Sequence, residues 1–163
     1  MPYELVEVDL KHKPKELIDN NPYAKVPVLL DDGGVIYESA IINEYLEEKY
    51  PATRLLPADS LGRSKARIWV DFFNSRIHPT GGDLRHGRNP EVARERMTAH
   101  LESLDAELAG KSYLLGEYSL ADITFIPFYV RRDRYKVTID DNLPNLKRWC
   151  ANLLARPAVA ATL

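Results

Sequence analysis

The chain has 163 residues, of which 45% are hydrophobic and 28% charged, and its formal net charge is -2 at pH 7. This length accommodates one full domain or two small ones, and the near balance of charge gives no electrostatic reason to expect binding to nucleic acid or to an anionic membrane. One cysteine excludes an intramolecular disulfide, and no signal-peptide pattern or apolar run of the ~20 residues that span a bilayer is visible. We therefore expect a soluble, cytoplasmic protein.

The first elements in chain order are a strand and a short helix. Residues 3–8, "YELVEV", alternate in part between apolar and acidic side chains, which predicts a strand with one face better buried than the other. Pro14 suits the first turn of a helix in "KPKELIDN", and the following "NNP" at residues 20–22 ends it.

A hairpin and an amphipathic helix follow. "KVPVLL" at residues 25–30 predicts a strand that begins at or after Pro27, because proline donates no ladder hydrogen bond. "DDGG" at residues 31–34 predicts the turn, and "VIY" the returning strand. "ESAIINEYLEEKY" at residues 38–50 has the apolar spacing of a helix with one buried face.

The rest of the chain reads as helical. "PATRLLPADSL" at residues 51–61 lacks periodicity and predicts a linker. Helices are predicted over residues 62–77 and 89–110, the second with a buried stripe of Met97, Leu101, Leu104 and Leu108. Between them, "HPTGGDLRHGRNP" at residues 78–90 carries three glycines and two prolines, which predicts a flexible loop.

Two more helices complete the pattern. In "YSLADITF" at residues 118–125, Ser119 and Asp122 have the spacing of a capping box, so we assign them to folding. We expect Pro127 to bend this helix or to end its regular part. "NLPNLKRWCANLLA" at residues 142–155 predicts the last helix, which ends before Pro157.

Five stretches resemble, in their order and separations, the soluble glutathione S-transferase superfamily. They are "PYELVEVDL", "NPYAKVPVLL", "YESAIINEYLEEKYP", "YLLGEYSLADITFIP" and "LPNLKRWCANLLARPAV", which span nearly all of the chain. The pattern is similar to omega-like, zeta-like and bacterial members, and to the non-enzymatic stringent-starvation-type relatives.

The resemblance implies an α+β fold. It comprises an incomplete thioredoxin-like, glutathione-binding domain at residues 1–50, the linker at 51–61, and an all-α helical C-terminal domain at 62–163. In the complete family, the thiol of glutathione is conjugated to small electrophiles. The resemblance therefore also implies glutathione as co-substrate, no metal, an apolar pocket for a small electrophile, and a homodimer.

The resemblance places the backbone part of the glutathione site at Val26-Pro27, where the family has a cis proline. The outward N–H and C=O groups of Val26 then pair with the extended tripeptide like an added strand. On the residues alone, Pro27 starting an edge strand is an equal alternative. Lys25 is implied to meet the glycine carboxylate, with His12 as a weaker candidate, and an ordinary surface lysine is the alternative.

Glu38 and Ser39 fall where the family holds the γ-glutamyl group. They follow a strand and open a helix, whose unpaired N–H groups and partial positive charge favour a carboxylate. Ser39 adds a hydroxyl donor, and Glu38 can hold the ammonium group. An ordinary helix cap is the alternative, and it is the better reading of these two residues without the family match.

Other reactive side chains are assigned to no site. Cys150 lies in an apolar helical pattern after Trp149, so we expect a buried and inert thiol. His78, Asp83 and His86 match no common ligand spacing, and we expect no metal.

In the family, a first strand and first helix precede the part that "PYELVEVDL" matches, and they carry the Tyr, Ser or Cys that activates the glutathione sulfur. We find no equivalent residue, so we assign no catalytic residue and expect impaired conjugation. The chain is then a short reading of a longer protein, or "YELVEV" shifts into the vacant sheet position, or a second chain fills it. The alternative function is a non-catalytic interaction module that keeps the transferase scaffold; a glutaredoxin-like thiol reductase needs an N-terminal cysteine, which the sequence lacks.

Overall fold

A computed structural model describes residues 2–162 and divides the chain into two units. We call Met1–Thr53 the hairpin unit and Arg54–Leu163 the helical unit. Within residues 2–162, no helix combines the length and the apolar character needed to cross a bilayer.

The hairpin unit consists of two helices and a two-stranded antiparallel sheet. Its elements are α1 (Lys15–Asn20), β1 (Val28–Asp31), β2 (Gly34–Tyr37) and α2 (Ser39–Lys49). The register runs from Val28 opposite Tyr37 to Asp31 opposite Gly34. Asp32 and Gly33 form the turn with φ angles of 50° and 76°, the left-handed pair that a tight two-residue hairpin requires. The predicted hairpin and the helix after it are therefore confirmed.

A cluster of polar side chains ties the turn end of the hairpin to α2. The Nζ of Lys49 donates to Oδ2 of Asp31 at 2.6 Å and to Oδ2 of Asp32 at 2.8 Å. The hydroxyl of Tyr45 donates to the same oxygen of Asp31 at 3.1 Å. The hydrogen bond from Lys49 holds the pKa of Asp31 below its ordinary value. The folded hairpin therefore favours the ionised form of Asp31.

The strand predicted over residues 3–8 is wrong for the single chain. Residues 2–9 form no regular secondary structure, and Tyr3, Leu5 and Val6 are 76%, 72% and 68% exposed. Apolar alternation makes a segment suitable for a sheet, but a strand needs the hydrogen bonds of a neighbouring strand. No described segment of the same chain supplies that neighbour.

The helical unit is built from six helices, with two short turns of other helix types between them. The core contains the predicted stripe on α5, where Met97, Leu101, Leu104 and Leu108 are all buried. The elements in chain order are α3 (Ser60–Phe72), a π-helical turn (Phe73–Ile77), α4 (His78–His86), α5 (Pro90–Glu107), α6 (Leu120–Val130), a 3-10 turn (Arg132–Tyr135), α7 (Pro144–Leu154) and α8 (Pro157–Ala160). Pro127 lies inside α6, which continues to Val130.

The flexible loop predicted over residues 78–90 is wrong, because His78–His86 form α4. One of its glycines serves packing. Gly81 is buried, and a Cβ there would lie 3.0 Å from a ring carbon of Phe128 and 3.1 Å from one of Tyr135. A Cβ at these distances would require the neighbouring rings to shift by a few tenths of an ångström, so glycine suits this close approach. Pro79 lies where the π-helical turn Phe73–Ile77 passes directly into α4, and proline has no N–H to donate to that preceding turn.

Asp122 is a buried hub at the start of α6. Its Oδ2 accepts the backbone N–H of Ser119 at 2.9 Å and the Ser119 hydroxyl at 3.0 Å, and the capping box is confirmed. Its Oδ1 accepts the backbone N–H of Leu114 at 3.0 Å and the indole N–H of Trp149 on α7 at 2.8 Å. Burial raises the pKa of Asp122, and these hydrogen bonds oppose the rise. Ser119 and Asp122 therefore organise the fold, as predicted.

Candidate functional site

The hairpin register brings the two separate motifs of the candidate site to one place. Val28, the first residue of β1, lies opposite Tyr37, the last residue of β2. Pro27 and Glu38 flank this pair, followed outward by Val26 and Ser39. Paired strands lie about 4.8 Å apart. Both motifs therefore lie at the open end of the hairpin, opposite the turn that Lys49 binds.

The Val26–Pro27 peptide bond is cis, as the resemblance implies. The segment before it is shaped by Asn21, whose side chain is 1% exposed. The side-chain amide of Asn21 donates to the carbonyl of Lys25 at 2.8 Å, and its oxygen accepts the N–H of Tyr23 at 2.9 Å. Asn21 therefore fixes the approach of the chain to Val26.

Asn21 is the residue of this site that sequence reasoning missed. The sequence pattern places it only at the end of the first helix. Its signal is an asparagine directly before Pro22 in a polar turn, where an Asn side chain commonly bonds to backbone groups a few residues onward. That pattern predicts local bonding, although burial of the side chain is visible only in the structure.

Glu38 has an unusual backbone conformation for a residue with a side chain, with φ 70° and ψ 115°. Such values are sparsely populated and are held only where the surrounding structure imposes them, often at functional sites. At Glu38 the chain leaves β2 and immediately begins α2 with Ser39. The strained residue therefore lies at the point where α2 begins, at the open end of the hairpin.

The first turn of α2 offers donors. The N–H of Ile42 bonds to the carbonyl of Glu38 at 2.9 Å, which starts the helical ladder. Among the described residues, none accepts a hydrogen bond from the N–H of Ser39 or Ala40, or from the Ser39 hydroxyl. Ser39 and Glu38 are exposed. Unpaired donors at a helix N-terminus attract an anion such as a carboxylate.

Lys25 and Val26 lie exposed beside these groups. Within residues 2–162, the Lys25 ammonium and the Glu38 carboxylate have no hydrogen-bonding or ion-pair partner in the protein. His12, by contrast, is engaged: its Nδ1 lies 2.8 Å from Oδ2 of Asp9, and both side chains are exposed. The open end thus offers a backbone edge, a cation, a carboxylate and helix N–H groups.

The remaining candidates lie in the helical unit. Cys150 is buried as predicted, and burial raises the pKa of its thiol to about 12, so its reactive thiolate is scarce near neutral pH. Asp83 accepts from the Nε of Arg88 at 2.8 Å. The structure of residues 2–162 brings no three His, Cys, Asp or Glu side chains together in a metal-binding group, and freedom from metal stays a prediction.

Comparison with known proteins connects both units to one family. Residues 1–54 match the family description "Glutathione S-transferase, N-terminal domain", and residues 83–157 match "Glutathione S-transferase, C-terminal domain". The chain is similar to glutathione S-transferase U28 of Arabidopsis thaliana, with 33% identity over 172 residues that cover 99% of this chain and 77% of the relative.

Solved structures agree with this match. A bacterial transferase, BphK, solved as a ternary complex, superposes with a TM-score of 0.91 at 27% identity, over 100% of this chain and 86% of BphK. A rice transferase solved in complex with glutathione superposes with a TM-score of 0.86 at 27% identity, over 100% of this chain and 79% of the rice protein. The predicted fold class, a thioredoxin-like N-terminal domain with a small sheet followed by a helical domain, is confirmed.

Proposed function

The chain belongs to the glutathione S-transferase family, and we propose that it binds glutathione at the open end of the hairpin. One observation carries the proposal: the register places Val26-Pro27 beside Glu38-Ser39. A backbone edge for a peptide and a helix N-terminus for a carboxylate then stand next to each other. Glutathione is a tripeptide with a free α-amino acid group at one end, and it needs both.

The γ-glutamyl end is assigned to α2. Its carboxylate accepts hydrogen bonds from the N–H groups of the first turn and from the Ser39 hydroxyl, where the helix dipole also favours negative charge. Its ammonium pairs with the carboxylate of Glu38. Ser39 and Glu38 are exposed, and no described side chain bonds to the Ser39 hydroxyl or to the Glu38 carboxylate.

The rest of the tripeptide is assigned to the segment before β1. The backbone of Val26 pairs with the cysteinyl residue in the manner of an added strand. Lys25 meets the glycine carboxylate as a point charge. Asn21 acts behind them as a positioning residue, since its side chain fixes the carbonyl of Lys25 and the N–H of Tyr23.

Calorimetric titration with reduced glutathione tests this assignment. Ser39→Ala removes one hydrogen bond to a charged group, which contributes about 1.5–3 kcal/mol, so we expect roughly ten- to hundredfold weaker binding. Ser60→Ala is the matched control, because Ser60 is also the exposed first residue of a helix, α3. The proposal is wrong if both variants bind like the wild type, or if both weaken equally.

We further propose that this polypeptide conjugates glutathione to small apolar electrophiles only slowly. The family supplies the reaction class, and sulfur activation needs a hydroxyl or thiol held against the sulfur. The single thiol of the chain is buried in the helical unit, and no catalytic residue is assigned. Fast turnover with an electrophilic aryl halide, abolished by Ser39→Ala, would show that conjugation is not impaired.

The alternative is a non-catalytic interaction module with the transferase scaffold. Melting temperature separates the two, because a ligand that binds only the folded state raises it. An upward shift with glutathione concentration supports the binding function, and no shift at saturating concentration supports the module.

Family membership also supports the proposal that the protein works as a homodimer. Light scattering on the full chain tests the dimer, and a monomer at every concentration measured would contradict it.

A single cysteine in 163 residues supports a second proposal, a location in a reducing compartment, the cytoplasm.

A further inference from the structure

A cavity with a polar rim lies in the helical unit and shares no residue with the proposed glutathione site. It has a volume of about 160 Å³ and lies between α5, the end of α4 and the chain that joins the 3-10 turn to α7. We call residues 136–143 the connecting segment. Buried apolar residues, Met97 and Val137 among them, form the floor. The rim is formed by the exposed residues Arg94, Thr98 and Glu102 of α5, and Lys136, Thr138 and Asp140 of the connecting segment.

The connecting segment runs beside α5 in the same direction. At its start, the ring of Tyr135 lies against Gly81 of α4, and α4 leads into the first turn of α5. Just after its end, the backbone N–H of Leu146 and the amide of Asn145 donate to the carboxylate of Asp105 at 2.8 Å and 3.0 Å. Asp105 lies in the last turn of α5. The segment therefore passes from the N-terminal half of α5 to its C-terminal half.

This direction sorts the charges of the rim. Each wall carries a cation, then a hydroxyl, then a carboxylate, in the order Arg94, Thr98, Glu102 on α5 and Lys136, Thr138, Asp140 on the connecting segment. We call Arg94 and Lys136 the cationic end, and Glu102 and Asp140 the acidic end. The helical rise separates Arg94 from Glu102 by about 12 Å. An extended chain from Lys136 to Asp140 reaches about 13 Å at most, so the two walls are similar in length.

The polar side chains of the rim have no partners within the protein. Among residues 2–162, no rim side chain takes part in a hydrogen bond or an ion pair. Opposite charges within about 4 Å would form a pair, so the cationic end and the acidic end are held apart and do not neutralise each other. The cavity therefore offers a positive end, hydroxyl groups in the middle and a negative end.

We propose that this cavity binds a short linear zwitterion, a dipeptide with free ends, of which glycylglycine is the simplest example. The carboxylate of the dipeptide bonds to the cationic end, and its ammonium group bonds to the acidic end. Its peptide group lies between Thr98 and Thr138, whose hydroxyls can both donate and accept.

The dimensions of the cavity favour this ligand. Two extended residues reach about 7 Å, and a charge-assisted hydrogen bond of about 2.8 Å at each end extends this to about 13 Å, close to the length of the walls. A cavity of about 150 Å³ takes up benzene, so one of about 160 Å³ suits a slender chain. A single α-amino acid carries both charges on one carbon and cannot reach both ends.

Glutathione is disfavoured at this cavity. It is one residue longer than a dipeptide and has a carboxylate at each end, so in either orientation one carboxylate faces the acidic end, which repels it. The cavity is therefore a site separate from the open end of the hairpin, and its ligand does not compete with glutathione.

Amide NMR of the full chain, recorded while glycylglycine is added, tests the location. A ligand this small gains little free energy in total, so we expect roughly millimolar affinity. The amides of Thr98 and Thr138 should shift, those of Val26 and Ser39 should not, and saturating reduced glutathione should leave the affinity unchanged. The inference is wrong if no amide shifts, if only amides of the hairpin unit shift, or if glutathione displaces the dipeptide. It stands if glutathione itself fails to bind while Thr98 and Thr138 respond to glycylglycine.

Substitutions at each end test the charges. Arg94→Gln and Glu102→Gln should each weaken the binding of glycylglycine roughly three- to tenfold. Arg96→Gln and Glu95→Gln are the matched controls, because both residues are exposed on α5 outside the cavity and the net charge changes equally. Controls that bind like the wild type support the inference, and equal losses in the controls contradict it.

Blocked ligands test the orientation. N-acetylglycylglycine lacks the ammonium group, so Glu102→Gln should not weaken its binding further, whereas Arg94→Gln should. Glycylglycinamide lacks the carboxylate and should show the opposite pattern. The reverse result for both ligands would overturn the assignment of the two ends.

The unmodified protein provides a test that needs no variant to fold. Both blocked ligands must bind it more weakly than glycylglycine does. δ-Aminovalerate, which keeps both charges at the same separation but has no peptide bond, must also bind more weakly. Equal binding of δ-aminovalerate would overturn the choice of a dipeptide, and equal binding of the blocked ligands would overturn the site.

Discussion

Val28 lies directly opposite Tyr37 in the hairpin, and this one pair aligns the two parts of the proposed glutathione site. Pro27 precedes Val28, and Glu38 follows Tyr37, so the register alone makes them neighbours. A slip by one residue would turn every side chain of the hairpin to the other face. The site therefore depends on the turn at Asp32 and Gly33 that sets the register.

The strain at Glu38 gives a prediction that separates stability from binding. Glycine adopts positive φ without a steric cost, so Glu38→Gly should raise the free energy of unfolding by about 1 kcal/mol. The same change removes the carboxylate assigned to the ammonium of glutathione, so affinity should fall. Urea unfolding and calorimetry measure the two effects.

Glu38→Gln is the control, because it keeps the side-chain bulk and the strain while it removes the charge. It should weaken glutathione binding with no gain in stability. A Glu38→Gly protein that is less stable than the wild type would show that this backbone conformation is not strained.

The hydrogen bond from Trp149 to Asp122 should stabilise the helical unit. Trp149→Phe removes the donor at 2.8 Å and leaves Oδ1 of Asp122 with the N–H of Leu114. Loss of one partner of a buried carboxylate lowers the free energy of unfolding by about 1–3 kcal/mol. The smaller ring of Phe lowers it further, because packing contacts are lost. Urea unfolding measures the change.

Trp69→Phe is the matched control for that substitution. Trp69 is half-buried on α3, and no described residue accepts from its indole N–H. Trp69→Phe should therefore lower the free energy of unfolding distinctly less than Trp149→Phe does. Equal losses would mean that ring volume, and not the bond to Asp122, sets the stability.

Removing Lys49 should alter the pH dependence of stability. Lys49 holds the pKa of Asp31 below its ordinary value of 3.8. A carboxyl with a lowered pKa stabilises the fold above pH 3.8, and that stabilisation is lost as pH falls through the lowered pKa. Lys49→Met should therefore cost more stability near pH 7 than near pH 2, and the acid side of its stability curve should be flatter.

Unfolding free energies measured across the acid range check this sign. Lys65→Met is the control, because Lys65 is exposed and pairs with no described residue. Its stability curve should parallel that of the wild type. A curve for Lys49→Met that also stays parallel would show that Asp31 and Lys49 do not interact in solution.

Lys25 should contribute modestly and in a salt-dependent way to glutathione binding. An exposed ion pair contributes about 0.2–1 kcal/mol, so Lys25→Gln should weaken binding roughly two- to fivefold at low salt. The difference should shrink as salt screens the charge. Lys13→Gln, a change of another exposed lysine in the same unit, should leave affinity unchanged, and an equal loss there would assign the effect to net charge.

Local chemistry explains what sequence reasoning predicted. The turn residues Asp32 and Gly33, the capping box at Ser119 and the stripe on α5 each depend on neighbours within a few positions, and all three were predicted. Packing partners distant in sequence explain what it missed. Gly81 reads as a loop residue until Phe128 and Tyr135 are seen against it.

The candidate site divides in the same way. Val26-Pro27 and Glu38-Ser39 were identified from the resemblance, and their neighbourhood follows from the predicted hairpin. The positive φ of Glu38 and the burial of Asn21 were not predicted, because both arise from the folded surroundings. The strand over residues 3–8 failed because alternation in a sequence does not supply a partner strand.

Two-dimensional amide NMR of the full chain, recorded while reduced glutathione is added, tests the central claim most directly. We predict that the largest chemical-shift changes occur at the amides of Val26, Ser39 and Ala40, and that those of α5 and α7 stay in place. Saturating glutathione that shifts no amide, or only amides of the helical unit, would contradict the proposed site.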